Sequence, residues 1–309
     1  MVFGPITKHI IEISNPAKIT VSGGKIKISI LFDNTWRNKT FPIAEVFVIV
    51  LKTDRVSISK SVLDLALEGR FMIILNEKQG KVIYGNYENY EIVYNQVLTR
   101  IDKEKRLEFA KEIVRSRIKA MMKILKSLSL EVYEIEDYLS NVEKEVNVSG
   151  LRSQEANATK IYYDQLRIFL RRKDVEFLKR SRPARDLVNA MLNYGNALLY
   201  RIFLGYVLLR GFNPHIGIYH RLNENSLIYD LTDPYKPLIV DKAMIHLIDR
   251  DLVSECSLVK NRLALGTRQN LTNQIFKYFD SYEEKIVKTL NSLFYFVKHY
   301  PSRRFEVLL

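Results

Sequence analysis

The hydrophobic period of this chain changes once, between residues 85 and 95, and that change restricts the folds it can adopt. Before the change, polar and apolar residues alternate, as in KITVSGGKIKISILF, where Gly23-Gly24 predicts a hairpin turn. After it, apolar residues recur three or four positions apart, and those from Leu107 to Leu128 form one stripe of a long amphipathic helix. The two periods predict an α+β chain whose strands and helices are segregated by domain.

We predict a small β-rich N-terminal domain over residues 1–88 and a larger all-α C-terminal domain over residues 89–309, which carries the functional site. The segments FPIAEVFVIVL, FMIIL and KVIYG are expected to supply further strands of the first domain, with a short helix over residues 59–69. The segment GNYENYEIVYNQ, residues 85–96, is interpreted as a polar, tyrosine-rich linker.

Three features predict a cytoplasmic protein that does not contact a membrane. The most apolar run, NALLYRIFLGYVLL at residues 196–209, is too short to span a bilayer and contains Arg201, so we interpret it as a buried helix. The first residues, MVFGPITKHI, contain no apolar stretch of signal-peptide length. The single cysteine excludes an internal disulfide and a CxxC metal site.

The charge balance points to a polyanionic partner. Lys and Arg number 48 against 35 Asp and Glu, a formal net charge of +13, and nucleic acid is the commonest polyanion that basic proteins bind. Residues 160–185 hold nine basic residues, six of them Arg, against three acidic ones. Such a run is also typical of an ordinary solvated face, but Arg binds phosphate better than Lys does.

The stretch IYHRLNENSLIYDLTDPY, residues 218–235, places His220 ahead of Asp230 and Asp233. We predict that SLIYDL forms a short strand and that a small hairpin brings His220 beside Asp230, with Asp233 at the following strand-to-helix junction. Two close carboxylates repel each other and favour a bound cation, and carboxylates with an imidazole suit Mg²⁺ or Mn²⁺. The alternative is a structural histidine, with Asp233 as a helix N-cap before Pro234.

A third ligand for such a cation would have to come from elsewhere in the chain, and Glu155 is the candidate. We expect it in the first turn of a helix that starts after Gly150, beside the small residues Ala156 and Ala158, which leave room for a bulky ligand. An ordinary acid that complements the helix dipole would occupy the same position. The residues alone leave both interpretations open.

Ordered blocks over most of the chain resemble the CRISPR-associated integrases and endonucleases of spacer acquisition, the Cas one family. SQEANATKIYY resembles the block that carries the family's Glu, and SRPARDLVNAMLNYGNALLY resembles its central-helix block with an arginine pair. GFNPHIGIYH, followed by YDLTDPYKPLIVD, resembles the block with the family's His and acidic pair. FPIAEV, VSISKSVLDLALEG and FMIILNEKQGKVIYG are similar to its β-domain. The chain departs from the family at Ala156 and Lys236, where Gly and Arg are usual.

The resemblance implies a metal-dependent DNA integrase and endonuclease. The 3′-hydroxyl of a spacer duplex would attack a phosphodiester at the edge of a CRISPR repeat, a transesterification. The resemblance also implies double-stranded and branched DNA as substrates, a homodimer, and a small ferredoxin-like partner protein that the N-terminal domain helps to contact. Two alternatives stay open, namely a catalytically inert DNA-binding subunit and a stand-alone metal-dependent nuclease.

The same resemblance assigns roles to the candidate residues. Glu155, His220 and Asp233 would hold one Mg²⁺ or Mn²⁺, and Asp230 would be either an acid behind the ligands or an alternate ligand. A set of basic residues, called the basic patch below, would contact the DNA backbone without reading its sequence. The members of the basic patch are Arg167, Arg171, Arg172, Lys173, Arg182 and Arg185.

Overall fold

The computed structural model describes residues 9–68, 70–76, 81–83, 90–220, 224–253, 258–259 and 262–309. Within these residues the chain forms two compact units. The first unit is rich in strands and consists of the chain up to Val93 together with the segment Gly205–Asn213. The second unit is helical and comprises Tyr94–Leu204 and Pro214–Leu309. The predicted domain boundary at residues 88 and 89 lies outside the described residues.

The described strands of the first unit form two four-stranded sheets, which confirms the prediction of a β-rich N-terminal region. The strands are β1 (His9–Ile13), β2 (Ala17–Ser22), β3 (Lys25–Phe32), β4 (Thr35–Pro42), β5 (Val46–Leu51), β6 (Val56–Ile58), β7 (Met72–Asn76) and β8 (Lys81–Ile83). One sheet has the order β1-β5-β7-β8 and the other has the order β4-β3-β2-β6. A short helix, α1 (Lys60–Leu67), connects β6 to β7.

The predicted hairpin around Gly23-Gly24 is formed by β2 and β3. Their antiparallel register pairs Ser22 with Lys25, so the two glycines make up the whole turn. Both have positive φ angles, 56° and 71°, which glycine adopts without strain. The alternation of the two strands places one face in the core of the unit, where the buried residues are Ile19, Ile26 and Ile28.

Helices dominate the chain from Tyr90 onward, which confirms the predicted fold class. They are α2 (Tyr90–Ile101), α3 (Lys103–Ser127), α4 (Tyr133–Val142), α5 (Val148–Arg171), α6 (Leu187–Leu209), α7 (Ser226–Thr232), α8 (Lys242–Asp249) and α9 (Leu265–Lys298). A π-helical turn, Pro237–Asp241, precedes α8. No helix among the described residues is long and apolar enough to cross a membrane.

Helix α3 is the predicted long amphipathic helix. It begins at Asp102, whose side chain accepts hydrogen bonds from the N–H groups of Glu104 and Lys105, the ordinary N-cap arrangement. The apolar stripe that the sequence indicated is buried from Ala110 to Leu125, and Leu107 and Leu128 at its two ends are half-buried. Its buried members include Ala110, Val114, Ile118, Met121 and Leu125.

The predicted linker over residues 85–96 is wrong for the part that the structure describes. Residues 90–96 belong to α2, in which Ile92, Gln96 and Thr99 are buried. Their spacing of four and three residues is that of a helix face, but only one of the three is apolar, so the pattern was hidden in the sequence. Residues 85–89 lie outside the described residues.

The apolar run over residues 196–209 lies in α6, as predicted, and that helix packs unusually close to its neighbours at Gly195. A Cβ atom at this position would lie 2.6 Å from Cγ1 of Val240 and 3.0 Å from Cδ1 of Ile275. Val240 belongs to the π-helical turn and Ile275 to α9. The glycine therefore permits the close approach of three helical segments in the second unit.

We expect Gly195→Ala to lower the free energy of unfolding by about 1–3 kcal/mol, because the added methyl overpacks a filled contact. Urea denaturation followed by circular dichroism measures the change. The matched control is Gly266→Ala in the first turn of α9, where an added Cβ meets no atom within 4 Å. It should be neutral or stabilising by up to about 1 kcal/mol, since Ala favours helix over Gly. Equal effects of the two substitutions would contradict the packing argument.

Candidate functional site

The segment that carries Asp230 and leads into Asp233 is a helix, not the predicted strand. Residues 226–231 lie in α7, in which Leu227, Ile228 and Leu231 are buried. These three apolar residues have the i, i+1, i+4 spacing of one helix face. A short apolar run of this kind fits a strand as well as a helix, which explains the wrong prediction. The predicted hairpin over residues 218–230 is therefore also wrong.

His220 nevertheless lies beside Asp230, as expected. Its Nδ1 is 2.6 Å from Oδ1 of Asp230, and its Nε2 is 3.7 Å from Oδ2 of Asp233. Asp233 directly follows α7 with helical backbone angles, so it does not act as the N-cap before Pro234 that the alternative reading required. The two aspartates lie one helical turn apart, and both carboxylates are buried. The imidazole thus lies between two buried acids.

The Asp230 carboxylate organises the loop that carries the histidine. It accepts hydrogen bonds from the backbone N–H groups of Ile218, Tyr219 and His220 at 2.7, 3.0 and 2.9 Å, in addition to its contact with the imidazole. Three successive amides around one carboxylate fix the backbone path as well as the ring. Of the two roles that the sequence left open for Asp230, this geometry favours the acid behind the histidine.

Three arginines hold the other side of the same loop. Their guanidinium groups donate hydrogen bonds to the backbone carbonyls of residues 217–220. Asp230, by contrast, accepts hydrogen bonds from the backbone N–H groups of the same loop. The bonds join Arg100 to the Gly217 and His220 carbonyls (the latter at 2.8 Å), Arg106 to those of Ile218 and Tyr219 (2.9 and 3.4 Å), and Arg152 to that of Tyr219 (3.1 Å). The loop is therefore bound through both kinds of backbone polar group.

Glu155 projects from the second turn of α5 rather than the first. The helix begins at Val148, because the side chain of Asn147 accepts the N–H of Gly150 and caps it there. Glu155 is buried, and its Oε2 accepts a hydrogen bond from the hydroxyl of Tyr219 at 2.6 Å. A buried acid this far into a helix is not explained by the helix dipole. The structure thus disfavours the dipole interpretation.

A guanidinium from α3 joins the two acids. Nη1 of Arg117 donates to Oε1 of Glu155 and lies 3.1 Å from Oδ2 of Asp233. Lys236 forms an ion pair with the other oxygen of Asp233. The side chains of Glu155 and Asp233 are only 11% and 3% exposed, so their two charges are offset by two nearby cations. His220 contributes a third, titratable group at the same place.

The ionisation of the site follows from these neighbours. Burial raises the pKa of Asp233, but the positive charges of Lys236, Arg117 and His220 lower it by a larger amount. The pKa of Asp233 therefore lies well below its usual range. Burial lowers the pKa of His220, but the hydrogen bond and charge of Asp230, with Asp233 and Glu155, outweigh burial and leave the pKa raised. Asp233 is therefore ionised at neutral pH, and the imidazole of His220 takes up a proton at a higher pH than an ordinary histidine does.

Two carboxylates and one imidazole form a donor set that suits Mg²⁺ or Mn²⁺. Among the described residues, however, no three His, Cys, Asp or Glu side chains surround a single point as metal ligands do. The guanidinium of Arg117 instead lies between Glu155 and Asp233. The donor chemistry of the three residues therefore suits such an ion, while a side-chain cation lies between the two acids.

The basic patch does not form one uniform surface. Arg167 and Lys173 are engaged, since Arg167 pairs with Asp164 at 2.9 Å and Lys173 with Asp249 at 2.7 Å. The remaining four members are exposed to solvent: Arg171, Arg172, Arg182 and Arg185. These four side chains are the better candidates for contacts with an anionic surface.

Sequence reasoning missed the residues that complete the site. The most important is Arg117, for which a signal exists, because it stands between Val114, Ile118 and Met121 on the apolar stripe of α3. A cation at such a position needs a buried acid as a partner. The hydroxyl of Tyr219 and the three arginines on the 217–220 loop left no comparable signal, since their partners are distant in sequence.

Comparison with known proteins places this chain in a defined group. The family profile described as CRISPR associated protein Cas1 matches residues 12–279. The chain is 27% identical over 209 residues to the CRISPR-associated endonuclease Cas1 of Thermotoga maritima, and 27% identical over 213 residues to that of Fusobacterium nucleatum. The alignments cover 62% and 65% of this chain, and they span 66% and 63% of the two relatives, just under two thirds of their length.

Solved structures share the fold. The casposase bound to integration product is 20% identical with a TM-score of 0.77, covering 96% of this chain and 92% of that chain. A CAS1 protein from Thermotoga maritima is 21% identical with a TM-score of 0.79, covering 96% and 99%. A chain of a Cas6-RT-Cas1–Cas2 complex is 18% identical with a TM-score of 0.77, covering 98% of this chain and 36% of its own.

We expect Asp230→Asn to lower the free energy of unfolding by about 3–5 kcal/mol. The substitution removes the negative charge and replaces one accepting oxygen with an NH₂ donor that faces backbone N–H groups. Urea denaturation measures the loss. The matched control is Asp164→Asn, which removes a half-exposed ion pair with Arg167 and should cost at most about 1 kcal/mol. A loss no larger for Asp230→Asn than for the control would remove Asp230 as the organiser of the loop.

In the metal-free protein, NMR titration of His220 should give a pKa above the ordinary value of about 6.5. The stabilisation that this raised pKa represents is fully present below that ordinary value and is lost as the pH rises through the folded-state pKa. Asp230→Asn should lower the pKa, because it removes the hydrogen-bonded charge. A wild-type pKa below the ordinary value would show that burial outweighs the acids.

Proposed function

Because the chain belongs to the family of CRISPR associated protein Cas1, we propose that it is a metal-dependent DNA integrase that also cuts DNA. The observation that carries the proposal is that Glu155 and Asp233 share the guanidinium of Arg117 and that His220 lies beside Asp233. Relatives named endonucleases support the cutting activity, and a casposase bound to integration product supports the joining activity.

The proposed reaction joins the 3′-hydroxyl of a spacer duplex to a phosphodiester at the edge of a CRISPR repeat. The new bond forms between the attacking 3′ oxygen and phosphorus, and the bond from phosphorus to the 3′ oxygen of the target strand breaks. A proton passes from the attacking hydroxyl to the leaving oxygen through solvent. The number of phosphodiester bonds does not change, so the step needs no high-energy cofactor. With water as the attacking group, the same displacement cuts the strand.

We propose that Glu155, His220 and Asp233 hold one Mg²⁺ or Mn²⁺. A bound divalent cation polarises the scissile phosphate and makes the attacking hydroxyl more acidic. His220 suits this role because its Nδ1 proton is donated to Asp230, which leaves the Nε2 lone pair facing Asp233. The hydroxyl of Tyr219 donates a hydrogen bond to Oε2 of Glu155, and the other oxygen, Oε1, faces the guanidinium of Arg117.

One further side chain, that of Lys236, would act on the substrate. Lys236 pairs with Asp233, and its ammonium lies 4.8 Å from the ring centre of Tyr200 and 5.9 Å from that of Tyr229. Tyr200 is half-buried, and its pKa is lowered because the charge of Lys236 and hydrogen bonds outweigh the effect of burial. We propose that Lys236 offsets negative charge on the reacting phosphate while it keeps Asp233 in place.

The DNA would be held by phosphate contacts outside this cluster. The exposed members of the basic patch can donate to the duplex backbone without reading its sequence. Arg167 and Lys173 would contribute less, because each would first have to leave its carboxylate. We further propose a homodimer and a small ferredoxin-like partner protein. The Cas6-RT-Cas1–Cas2 complex that contains this fold supports a Cas2 partner.

We expect Glu155→Ala, His220→Ala and Asp233→Ala each to abolish strand transfer and cleavage in Mg²⁺ or Mn²⁺, while DNA binding remains. Each removes a proposed ligand, whereas affinity comes from cations on phosphates. Strand-transfer gels and fluorescence anisotropy measure the two activities. Because loss of one partner of a buried ion pair also destabilises, the isosteric Glu155→Gln and Asp233→Asn variants should give the same result in the folded state, checked by circular dichroism. Glu284→Ala, at an exposed surface pair, is the control and should retain activity.

The complementary change is Arg171→Glu with Arg172→Glu. It should weaken binding to all DNA sequences and reduce the salt dependence by up to about one unit of log–log slope for each phosphate contact that is lost. Wild-type strand transfer in all three ligand variants would show that these residues do not hold the catalytic metal. Absence of both joining and cutting by the wild-type protein in Mg²⁺ or Mn²⁺ would leave only an inert DNA-binding subunit. Cleavage without any joined product, in the wild-type protein supplied with partner and repeat DNA, would instead indicate a stand-alone nuclease.

A further inference from the structure

Arg117 lies at a largely buried position, where a charged side chain is costly unless it is paired. It projects from the middle of α3 next to the buried residues Val114 and Ile118, and its side chain is only 19% exposed. A guanidinium removed from water needs anions close by, and it has them in Glu155 and Asp233. Burial lowers the pKa of Arg117, but the negative charges of Asp233 and Glu155 raise it by a larger amount, so the guanidinium stays charged.

The guanidinium uses the oxygen atoms that a metal would use. Nη1 contacts Oε1 of Glu155 and Oδ2 of Asp233, and the second of these is also the oxygen nearest to Nε2 of His220. A divalent cation among these three donors would sit about 2.0–2.6 Å from each. No guanidinium nitrogen can remain between the two carboxylates at the same time, both for lack of space and because like charges repel.

The charge balance indicates what must accompany such an exchange. Glu155 and Asp233 carry two negative charges, and Arg117 and Lys236 carry two positive charges, so this group of four is neutral. A divalent cation added to it creates a surplus of positive charge that favours an anion. A phosphate of the DNA backbone is the anion that the proposed function supplies, and its oxygens match the two-pronged donor geometry of a guanidinium.

We propose that Arg117 is a built-in counter-ion that neutralises the acid pair in the metal-free protein, leaves it when the metal binds, and then binds a DNA phosphate. The inference rests on the proposed function, because it requires a metal at the acid pair. Its consequence is a coupling between two ligands through one side chain. DNA strengthens metal binding, and the metal strengthens DNA binding by the same factor, since linkage is reciprocal.

This role makes predictions opposite to those of an ordinary structural ion pair. If Arg117 merely supported the site, its removal would loosen the carboxylates and weaken metal binding. If it competes with the metal, its removal tightens metal binding in the absence of DNA. It also removes the effect of DNA on that affinity, because no guanidinium is left to pass from the acids to the phosphate.

The experiment measures Mn²⁺ affinity by electron paramagnetic resonance, with and without a short DNA duplex. Arg117→Gln should bind Mn²⁺ at least about tenfold more tightly than wild type without DNA, and its affinity should change less than about twofold when DNA is added. Arg117→Lys, which keeps the charge, should stay near wild type without DNA. The matched control is Arg115→Gln on the same helix, whose guanidinium pairs with Glu112 and Glu143 away from the site and should leave Mn²⁺ affinity unchanged.

A thermal-shift measurement keeps the test independent of catalysis and of poor folding. Arg117→Gln should melt below wild type without metal, and saturating Mn²⁺ should raise its melting temperature by more than it raises that of wild type. The inference is overturned if Arg117→Gln binds Mn²⁺ no more tightly than wild type, or if DNA still changes its affinity as in wild type, while Glu155→Gln abolishes binding. If wild-type Mn²⁺ binding is absent or insensitive to Glu155→Gln, the proposed metal site itself is wrong.

Discussion

The candidate site depends on the hydrogen bonds that the buried Asp230 carboxylate receives. A buried carboxylate is costly unless its oxygens are satisfied, and here three successive backbone amides and one imidazole satisfy them. The same bonds determine where residues 218–220 run and which nitrogen of His220 faces Asp233. Because Asp230 lies on α7, one turn before Asp233, the histidine and the second acid are placed by one short helix.

The segment after Asp233 is held just as firmly. Tyr235 is fully buried, and its hydroxyl lies 2.7 Å from Oγ1 of Thr289 and 2.8 Å from the carbonyl oxygen of Leu308. The 217–220 loop is meanwhile bound by three arginines that come from three other helices, α2, α3 and α5. Backbone motion at the site is therefore limited on both sides of Asp233, and the exchange of partners that we propose is confined to side chains.

The sequence predicted which candidate residues lie near one another better than it predicted their local structure. Glu155, His220 and Asp233 were proposed as one group from residue type and order, and the structure places His220 beside Asp233 and joins Glu155 to Asp233 through Arg117. The predicted strand over residues 226–231 failed because six residues with a short apolar run fit either period. Arg117 was missed because its acids are 38 and 116 residues away, and a local pattern shows a misplaced charge without showing its partner.

Asp230 in α7 and Asp233 directly after it have different kinds of partners, although they lie only one helical turn apart. Asp230 accepts hydrogen bonds from three backbone amides and contacts the imidazole of His220. Because backbone amides cannot move without moving the chain, the surroundings of Asp230 are fixed once the chain is folded. Asp233 is paired with the ends of two long cationic side chains, Arg117 and Lys236, which can rotate away without unfolding any backbone. The exchange of a side-chain cation for a metal ion that we propose would therefore involve Asp233 and not Asp230. In this proposal the position one helical turn later, rather than the residue type, decides which acid holds the metal.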